Sequence, residues 1–338
     1  MNDLSIDKIR NSAGRMQIGT PDDHSDITTM LSLGDNLYVV KARGIYAVKL
    51  ADQIDPARTN ASIPAVQQQI VSLGSESHLV GQTLLTAKAL FSEQVMPKWF
   101  DCTNAILCSL EALKDLAAMQ ELKDAFVEAE EREVVAFRNQ MEAKGALVLP
   151  AIRAVDTRCK TFFQKADHTI RNLLNIVKQF YKKHNGVNGF DDLIRYARTY
   201  YGDNDLLVTY LDRIDPTLKF VRKTRNCLEH PNPPANQVII ADFTLLPDGK
   251  IARPSIEVIS RPNHYPKQDV SHVMSDLALA LPQIFEGVVA CLCSKHIERV
   301  GGFSPFLINV DSDQRRGGEK HVQYGYGIQI GDSVARFG

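Results

Sequence analysis

One unusually long helical pattern, from Thr103 to Lys144, constrains the fold of this chain more than any other segment. Its apolar residues recur three and four positions apart, which is the spacing of one face of an α-helix. They are Ile106, Leu110, Leu113, Leu116 and Met119. The later half carries a run of charged residues from Glu128 to Glu133, which predicts a solvated face. We expect a long antiparallel helical arm or a coiled-coil segment here.

The chain is expected to divide after this arm, because Gly145 and Pro150 end the helical pattern. Before the break, residues 1–35 are polar and irregular in pattern, and residues 36–150 combine the arm with a β-hairpin. The hairpin is predicted from β-branched and aromatic runs at 37–40 and 45–50. We expect residues 36–150 to select a substrate, sense a signal or bind a partner.

Residues 155–300 are predicted to form a second helical domain that contains an inserted β-hairpin. The hairpin covers residues 238–260 around Pro247-Asp248-Gly249, a strong turn sequence. Residues 301–338 are rich in glycine and polar side chains, which predicts a tail. The predicted helices cover residues 159–183, 191–201, 205–214, a stretch opened by Asp215-Pro216, and 269–299 with a kink or break at Pro282.

The expected fold class is therefore mainly α: a helical bundle with an inserted β-hairpin, preceded by a region with a β-hairpin and long helices.

The amino-acid composition limits the kinds of partner that the chain can bind. The 39 basic residues nearly balance the 40 acidic ones, so nucleic acid must be bound by a local patch. The six cysteines include no CxxC pair, which favours reduced thiols in the cytoplasm. We find no apolar run of spanning length and no cofactor motif, so neither a membrane partner nor a cofactor or metal is expected.

The run from Thr224 to Pro231 places an arginine and a histidine at the end of a predicted helix. Arg225 is permanently charged and can hold a phosphate in a planar fork, whereas His230 can exchange a proton near neutral pH. This pair suits phosphodiester cleavage without a metal. Because a residue before proline is discouraged from the α region, the helix should loosen at His230.

A helical wheel at about 100° per residue separates this helix into two faces. The apolar face contains Phe220, Val221, Thr224, Cys227 and Leu228, and we expect it to pack inward. The polar face contains Arg222, Arg225, Asn226, Glu229 and His230. Arg222 and Lys223 either extend a phosphate-binding surface or serve only solubility. Glu229 is expected to pair with Arg222 or Arg225, and tight pairing would neutralise the site.

This helix end resembles the motif of the HEPN family, the higher eukaryote and prokaryote nucleotide-binding domain. In that motif an arginine is followed by a polar residue, by three further residues and by a histidine. Arg225, Asn226 and His230 carry this resemblance, which covers roughly residues 155–300. It implies a homodimer whose two motifs form a composite, metal-independent endoribonuclease site for RNA. It also implies a toxin or phage-defence effector with an antitoxin or regulatory protein as a possible partner.

The chemistry implied by the resemblance is attack of the RNA 2′-hydroxyl on the adjacent phosphate. His230 then handles a proton, Arg225 holds the phosphate, and Asn226 orients the imidazole or the scissile group. Arg222 and Lys223 are the predicted substrate-binding residues if they extend the phosphate-binding surface. Some members of the family keep the fold without the activity. The alternative function is therefore a catalytically inactive, dimeric interaction module in which the long arm does the binding.

Overall fold

The computed structural model describes residues 6–12, 16–20, 23–142, 148–182, 186–315 and 317–337. Lys144, Gly145 and Lys183, which the sequence assigned to helix ends and to the break after the arm, lie outside this part of the chain. The chain forms two compact units. The first consists of Met1–Leu110 and His296–Gly338, and the second is Glu111–Lys295.

The described residues form both helices and strands. The helices are α1 (Ile6–Arg10), α2 (Ala51–Ile54), α3 (His78–Val80), α4 (Thr86–Leu90), α5 (Cys102–Glu142), α6 (Val155–Phe180), α7 (Phe190–Tyr201), α8 (Leu206–Glu229) and α9 (Val270–Lys295). A π-helical turn, Gly81–Leu85, joins α3 to α4. The strands are β1 (Ile27–Leu33), β2 (Asn36–Lys41), β3 (Ile45–Lys49), β4 (Val66–Val71), β5 (Asn236–Ala241), β6 (Thr244–Leu245), β7 (Ile251–Ala252), β8 (Ser255–Ser260), β9 (Asn263–Asp269), β10 (Phe306–Asn309), β11 (Tyr324–Ile330) and β12 (Ser333–Phe337).

The prediction of a mainly α fold is wrong. About 48% of the described residues are helical and 21% are in strands, so this part of the chain mixes α and β structure. The strands form four antiparallel sheets, with the orders β1-β2-β3-β4, β10-β11-β12, β5-β8-β9 and β6-β7. Each expected hairpin is extended by strands that the sequence did not indicate. β9, for example, reads Asn-His-Tyr-Pro-Lys-Gln-Asp, which has none of the β-branched residues typical of strands.

Residues 301–338, expected to be a tail, contain the three-stranded sheet β10-β11-β12. The glycines in these residues interrupt the alternation of apolar and polar side chains that would predict strands. A Cβ atom at Gly327 in β11 would lie 2.8 Å from Cγ2 of Ile308 and 2.9 Å from Cγ1 of Val334, so side chains of both neighbouring strands cover the glycine. The same strand contains Tyr326, whose hydroxyl donates a hydrogen bond of 2.7 Å to the carbonyl oxygen of Leu90.

The second unit has a core in which α6, α8 and α9 pack against one another, with α7 and strands β5 and β8 against α8. Helix α8 continues through Pro216, so the prediction that Asp215-Pro216 opens a new helix is wrong. Asp205 is the actual N-cap, and its carboxylate accepts from the backbone N–H of Leu207 at 2.9 Å. Ile214 and Leu218 are both buried on one face, and that burial offsets the cost of about 3 kcal/mol for an interior proline.

Helix α9 is also continuous through Pro282, where a kink or break was predicted. Its length and composition would allow it to cross a membrane, because its most apolar window has a mean hydropathy of 1.8. In the folded chain, 61% of that window is buried inside the protein.

The charged run of α5 is not a fully solvated face. The side chain of Glu130 is 0% exposed and accepts from Nη1 of Arg253 at 2.6 Å. Nη2 of the same arginine lies 2.6 Å from Oε1 of Glu131, which is half exposed. Arg253 stands between β7 and β8, so this contact ties α5 to the segment that the sequence treated as an inserted hairpin.

Replacing Gly74 with alanine is expected to destabilise the first unit by about 1–3 kcal/mol or more. A Cβ there would lie 2.1 Å from the carbonyl oxygen of Lys41 and 2.4 Å from the carbonyl carbon of Ala42. Both carbonyls are fixed by hydrogen bonds from Ser75 and Glu76, so the obstacle is backbone and cannot rotate away.

Urea unfolding followed by fluorescence measures this effect, because Trp99 is the single tryptophan and belongs to the first unit. Gly317→Ala is the matched control, since a Cβ at Gly317 meets no atom within 4 Å. Equal midpoints for Gly74→Ala and wild type would show that the loop can move aside.

Candidate functional site: the carboxyl end of helix α8

The arginine-histidine motif lies at the end of α8, as the sequence predicted. The helix ends at Glu229, and His230 is its C-cap residue, with φ −133° and ψ 64°. The backbone N–H of His230 still donates to the carbonyl oxygen of Asn226 at 2.8 Å. The next residue, Pro231, disfavours helical backbone at His230. The chain therefore leaves the helix at the histidine, and its side chain is exposed.

Burial confirms the predicted division of the helix into two faces in part, because Phe220 and Leu228 of the apolar face are only half-buried. Val221, Thr224 and Cys227 are at most 3% exposed and face the core. On the other face, Arg222, Asn226 and His230 are exposed and Lys223 is half-buried. Within the described chain, no carboxylate lies within ion-pair distance of Arg222 or Lys223.

Arg225 differs from its neighbours because acidic side chains hold its guanidinium. Its Nη2 lies 2.5 Å from Oε2 of Glu229, which resolves the pairing that the sequence left open. Its Nη1 donates to Oδ1 of Asn226 at 3.1 Å. The side chain of Arg225 is 19% exposed. A guanidinium has five N–H donors, and these two contacts leave three, including an Nε–H with no hydrogen bond to a described residue.

Two residues of α6 complete the site, and sequence analysis missed both. Oδ2 of Asp167 lies 3.7 Å from Nε of Arg225 and 2.7 Å from Nη2 of Arg171. Nε2 of Gln164 donates to Oε1 of Glu229 at 2.9 Å. The available signal was Asp167 itself, a carboxylate that the helical period places on the apolar stripe between Phe163 and Ile170.

The hydrogen bond from Gln164 is the main reason that the pKa of Glu229 is lowered. The charges of Arg225, His230 and Lys160 lower it further, and together these effects outweigh partial desolvation. Glu229 is consequently an anion at neutral pH. Its carboxylate occupies part of the guanidinium that a phosphate would use.

The arrangement combines an exposed imidazole, an oriented guanidinium and two further cations on one helix end. The guanidinium and the cations can bind a phosphate, and the imidazole can accept or donate a proton. Asn226 sits between the two groups in sequence and orients Arg225 rather than His230. All five predicted residues lie at the carboxyl end of α8. Arg222, Asn226 and His230 are exposed, whereas Lys223 and Arg225 are half-buried.

Comparison with known proteins finds no matching family model, no matching curated protein and no matching solved structure.

Proposed function

We propose that the second unit is a metal-independent endoribonuclease whose active site is completed by a second copy of the chain. The observation that carries this proposal is that one helix end bears both the exposed His230 side chain and, five residues earlier, the oriented guanidinium of Arg225. Transphosphorylation needs a proton acceptor, a proton donor and a cation for the phosphoryl oxygens. These groups, and their resemblance to the HEPN motif, support the proposal.

In the proposed reaction, the 2′-hydroxyl oxygen attacks phosphorus while the bond to the 5′-oxygen breaks. One imidazole takes the proton of the 2′-hydroxyl, and another gives a proton to the leaving oxygen. The products are a 2′,3′-cyclic phosphate and a 5′-hydroxyl. One His230 in each protomer cannot fill both roles at once, whereas a symmetric pair supplies two imidazoles. DNA lacks the attacking hydroxyl and should resist cleavage.

A non-catalytic dimeric module is the second candidate, and the acidic contacts of Arg225 favour it. Glu229 at 2.5 Å and Asp167 at 3.7 Å both reduce the positive charge that Arg225 offers to a phosphate. In that function, the long arm in α5 would bind a partner, and the domain that carries the end of α8 would only dimerise.

Incubation of the purified protein with total RNA in EDTA, together with light scattering for mass, separates the two proposals. Cleaved RNA and a dimeric mass support the nuclease. Intact RNA and a dimeric mass support the non-catalytic module. A monomer in both the absence and the presence of RNA contradicts both.

Glu229→Gln is expected to strengthen RNA binding about threefold to tenfold at low salt, because it removes the anion that competes for Arg225. The measurement is fluorescence anisotropy with labelled RNA, made in a His230→Ala background so that the RNA stays intact. The gain should shrink as salt is raised.

Asp203→Asn in the same background is the matched control. It removes the same charge just before the amino end of α8, whereas Glu229 is the last residue of that helix, whose 24 residues span about 36 Å. Unchanged or weaker RNA binding by Glu229→Gln would mean that the carboxylate does not compete with RNA.

A further inference from the structure

The first unit contains a cavity of about 290 Å³ lined by β1, by α4 and by the carboxyl-terminal strands. Its polar lining includes Thr28, Thr29, Lys88, Ser92, Glu319 and Arg336. Leu85, Ala89 and Phe337 contribute apolar surface. This volume is just below the range of about 300–1,000 Å³ for small-molecule sites, so it suits one small ligand.

A β-bulge brings two adjacent threonines to this cavity. Successive side chains of a strand point to opposite faces, so Thr28 and Thr29 would ordinarily diverge. The register of β1 against β2 shifts between Ile27 and Thr29, which leaves Thr28 as the extra residue. Bulges of this kind redirect side chains and are frequent next to functional sites. Both hydroxyl-bearing residues consequently line the cavity.

The helical wall has a second irregularity. Leu85, Lys88 and Ala89 are spaced three and four apart, so they share one face of the helical segment. The π-helical turn Gly81–Leu85 precedes α4 directly and ends at the first of these residues. Single π-helical turns are rare and often occur at functional sites.

Lys88 is the cation of the cavity that has no acidic partner. Its Nζ donates to Oγ1 of Thr29 at 2.7 Å, and no carboxylate of the described residues pairs with it. Arg336 is fixed instead, because its Nη2 lies 2.8 Å from Oε2 of Glu319 and its Nη1 donates to the carbonyl oxygen of Gln314 at 2.8 Å. The lining therefore carries one net positive charge, at Lys88.

We propose that this cavity binds a small molecule that carries a phosphate group. The ammonium of Lys88 and the hydroxyls of Thr28, Thr29 and Ser92 would bind the phosphate, since lysine is a frequent phosphate ligand that acts as a point charge. Leu85 and Phe337 cover an apolar part of the ligand. Glu319, held by Arg336, accepts from a ligand hydroxyl or amine. The first unit would then bind a small molecule at a site that is independent of RNA cleavage.

Isothermal titration calorimetry with phenyl phosphate tests this proposal, because the probe combines a phosphate with an apolar ring. Inorganic phosphate is expected to bind more weakly than phenyl phosphate, and phenol is expected not to bind. Lys88→Gln should weaken phenyl phosphate binding at least tenfold, which is the effect of losing a charge-assisted hydrogen bond. Lys49→Gln, which removes an exposed lysine outside the cavity, should leave binding within twofold of wild type.

A second variant, Ala89→Leu, keeps the cation and narrows the cavity, and it should also weaken binding of phenyl phosphate. Thermal melts establish that each variant is folded. The proposal is overturned if the wild type shows no saturable binding of either phosphate probe up to the order of 10 mM. Equal losses in Lys88→Gln and Lys49→Gln would overturn it as well.

Discussion

Replacing His230 with alanine is expected to lower the rate of RNA cleavage by about 10²- to 10⁴-fold, the usual contribution of a positioned general acid or base. The imidazole is exposed at the end of α8 and contributes nothing to the core, so the variant should fold normally. In the proposed composite site, one substitution removes both proton-transfer groups, because it changes both protomers.

Arg225→Ala is expected to reduce cleavage by about 10²- to 10³-fold, since it removes the cation proposed to hold the phosphoryl oxygens. Initial rates on a defined RNA in EDTA measure both losses. His272→Ala and Arg195→Ala are matched controls, because they remove exposed side chains of the same types elsewhere in the second unit. Rates that stay at the wild-type level in all four variants would indicate a contaminating nuclease and reject this site.

Arg253→Met is expected to destabilise the second unit by about 2–3 kcal/mol, because it leaves the carboxylate of Glu130 buried without a partner. Glu130 is 0% exposed and its pairing distance to Arg253 is 2.6 Å. Breaking a fully buried ion pair costs about 3–5 kcal/mol. The smaller value applies here because the side chain of Arg253 is 36% exposed, so water can partly solvate the site.

A double variant separates the cost of the orphaned charge from the value of the contact. Glu130→Met with Arg253→Met should recover most of the stability that Arg253→Met loses, because no charge stays buried. Glu131→Gln removes the exposed partner of the same guanidinium and should cost less than about 1 kcal/mol. Urea unfolding followed by far-ultraviolet circular dichroism measures all three. A double variant as unstable as Arg253→Met would show that Glu130 is solvated or neutral after all.

Long periodic helices were the most predictable part of this fold. Helix α5 covers Cys102–Glu142, where the sequence predicted residues 103–144, and α7 covers Phe190–Tyr201, where it predicted 191–201. In these segments the spacing of the apolar residues matches the buried face, so this spacing alone is enough to predict the helix. The prediction divided helix α8 wrongly because it took Pro216 as the start of a new helix, although the apolar positions continue on both sides of it.

The strands were less predictable, because the features that stabilise them are not local. In β11, glycines occur where neighbouring strands supply the covering side chains, and β9 is polar because it pairs only with β8. The same limit applies to the site. The sequence placed Arg225, Asn226 and His230 together on one helix end, since they lie within six residues. Gln164 precedes Glu229 by 65 residues, and no local pattern indicates such a contact.

The RNA ends formed in EDTA distinguish attack by the 2′-hydroxyl from other routes of cleavage. Wild-type protein is incubated with a short RNA and, separately, with DNA of the same sequence. The masses of the fragments are then measured by mass spectrometry. Attack by the 2′-hydroxyl predicts fragments that end in a 2′,3′-cyclic phosphate, with new 5′-hydroxyl ends and intact DNA. Fragments with 3′-hydroxyl and 5′-phosphate ends, or cleavage of DNA at a similar rate, would rule out this reaction.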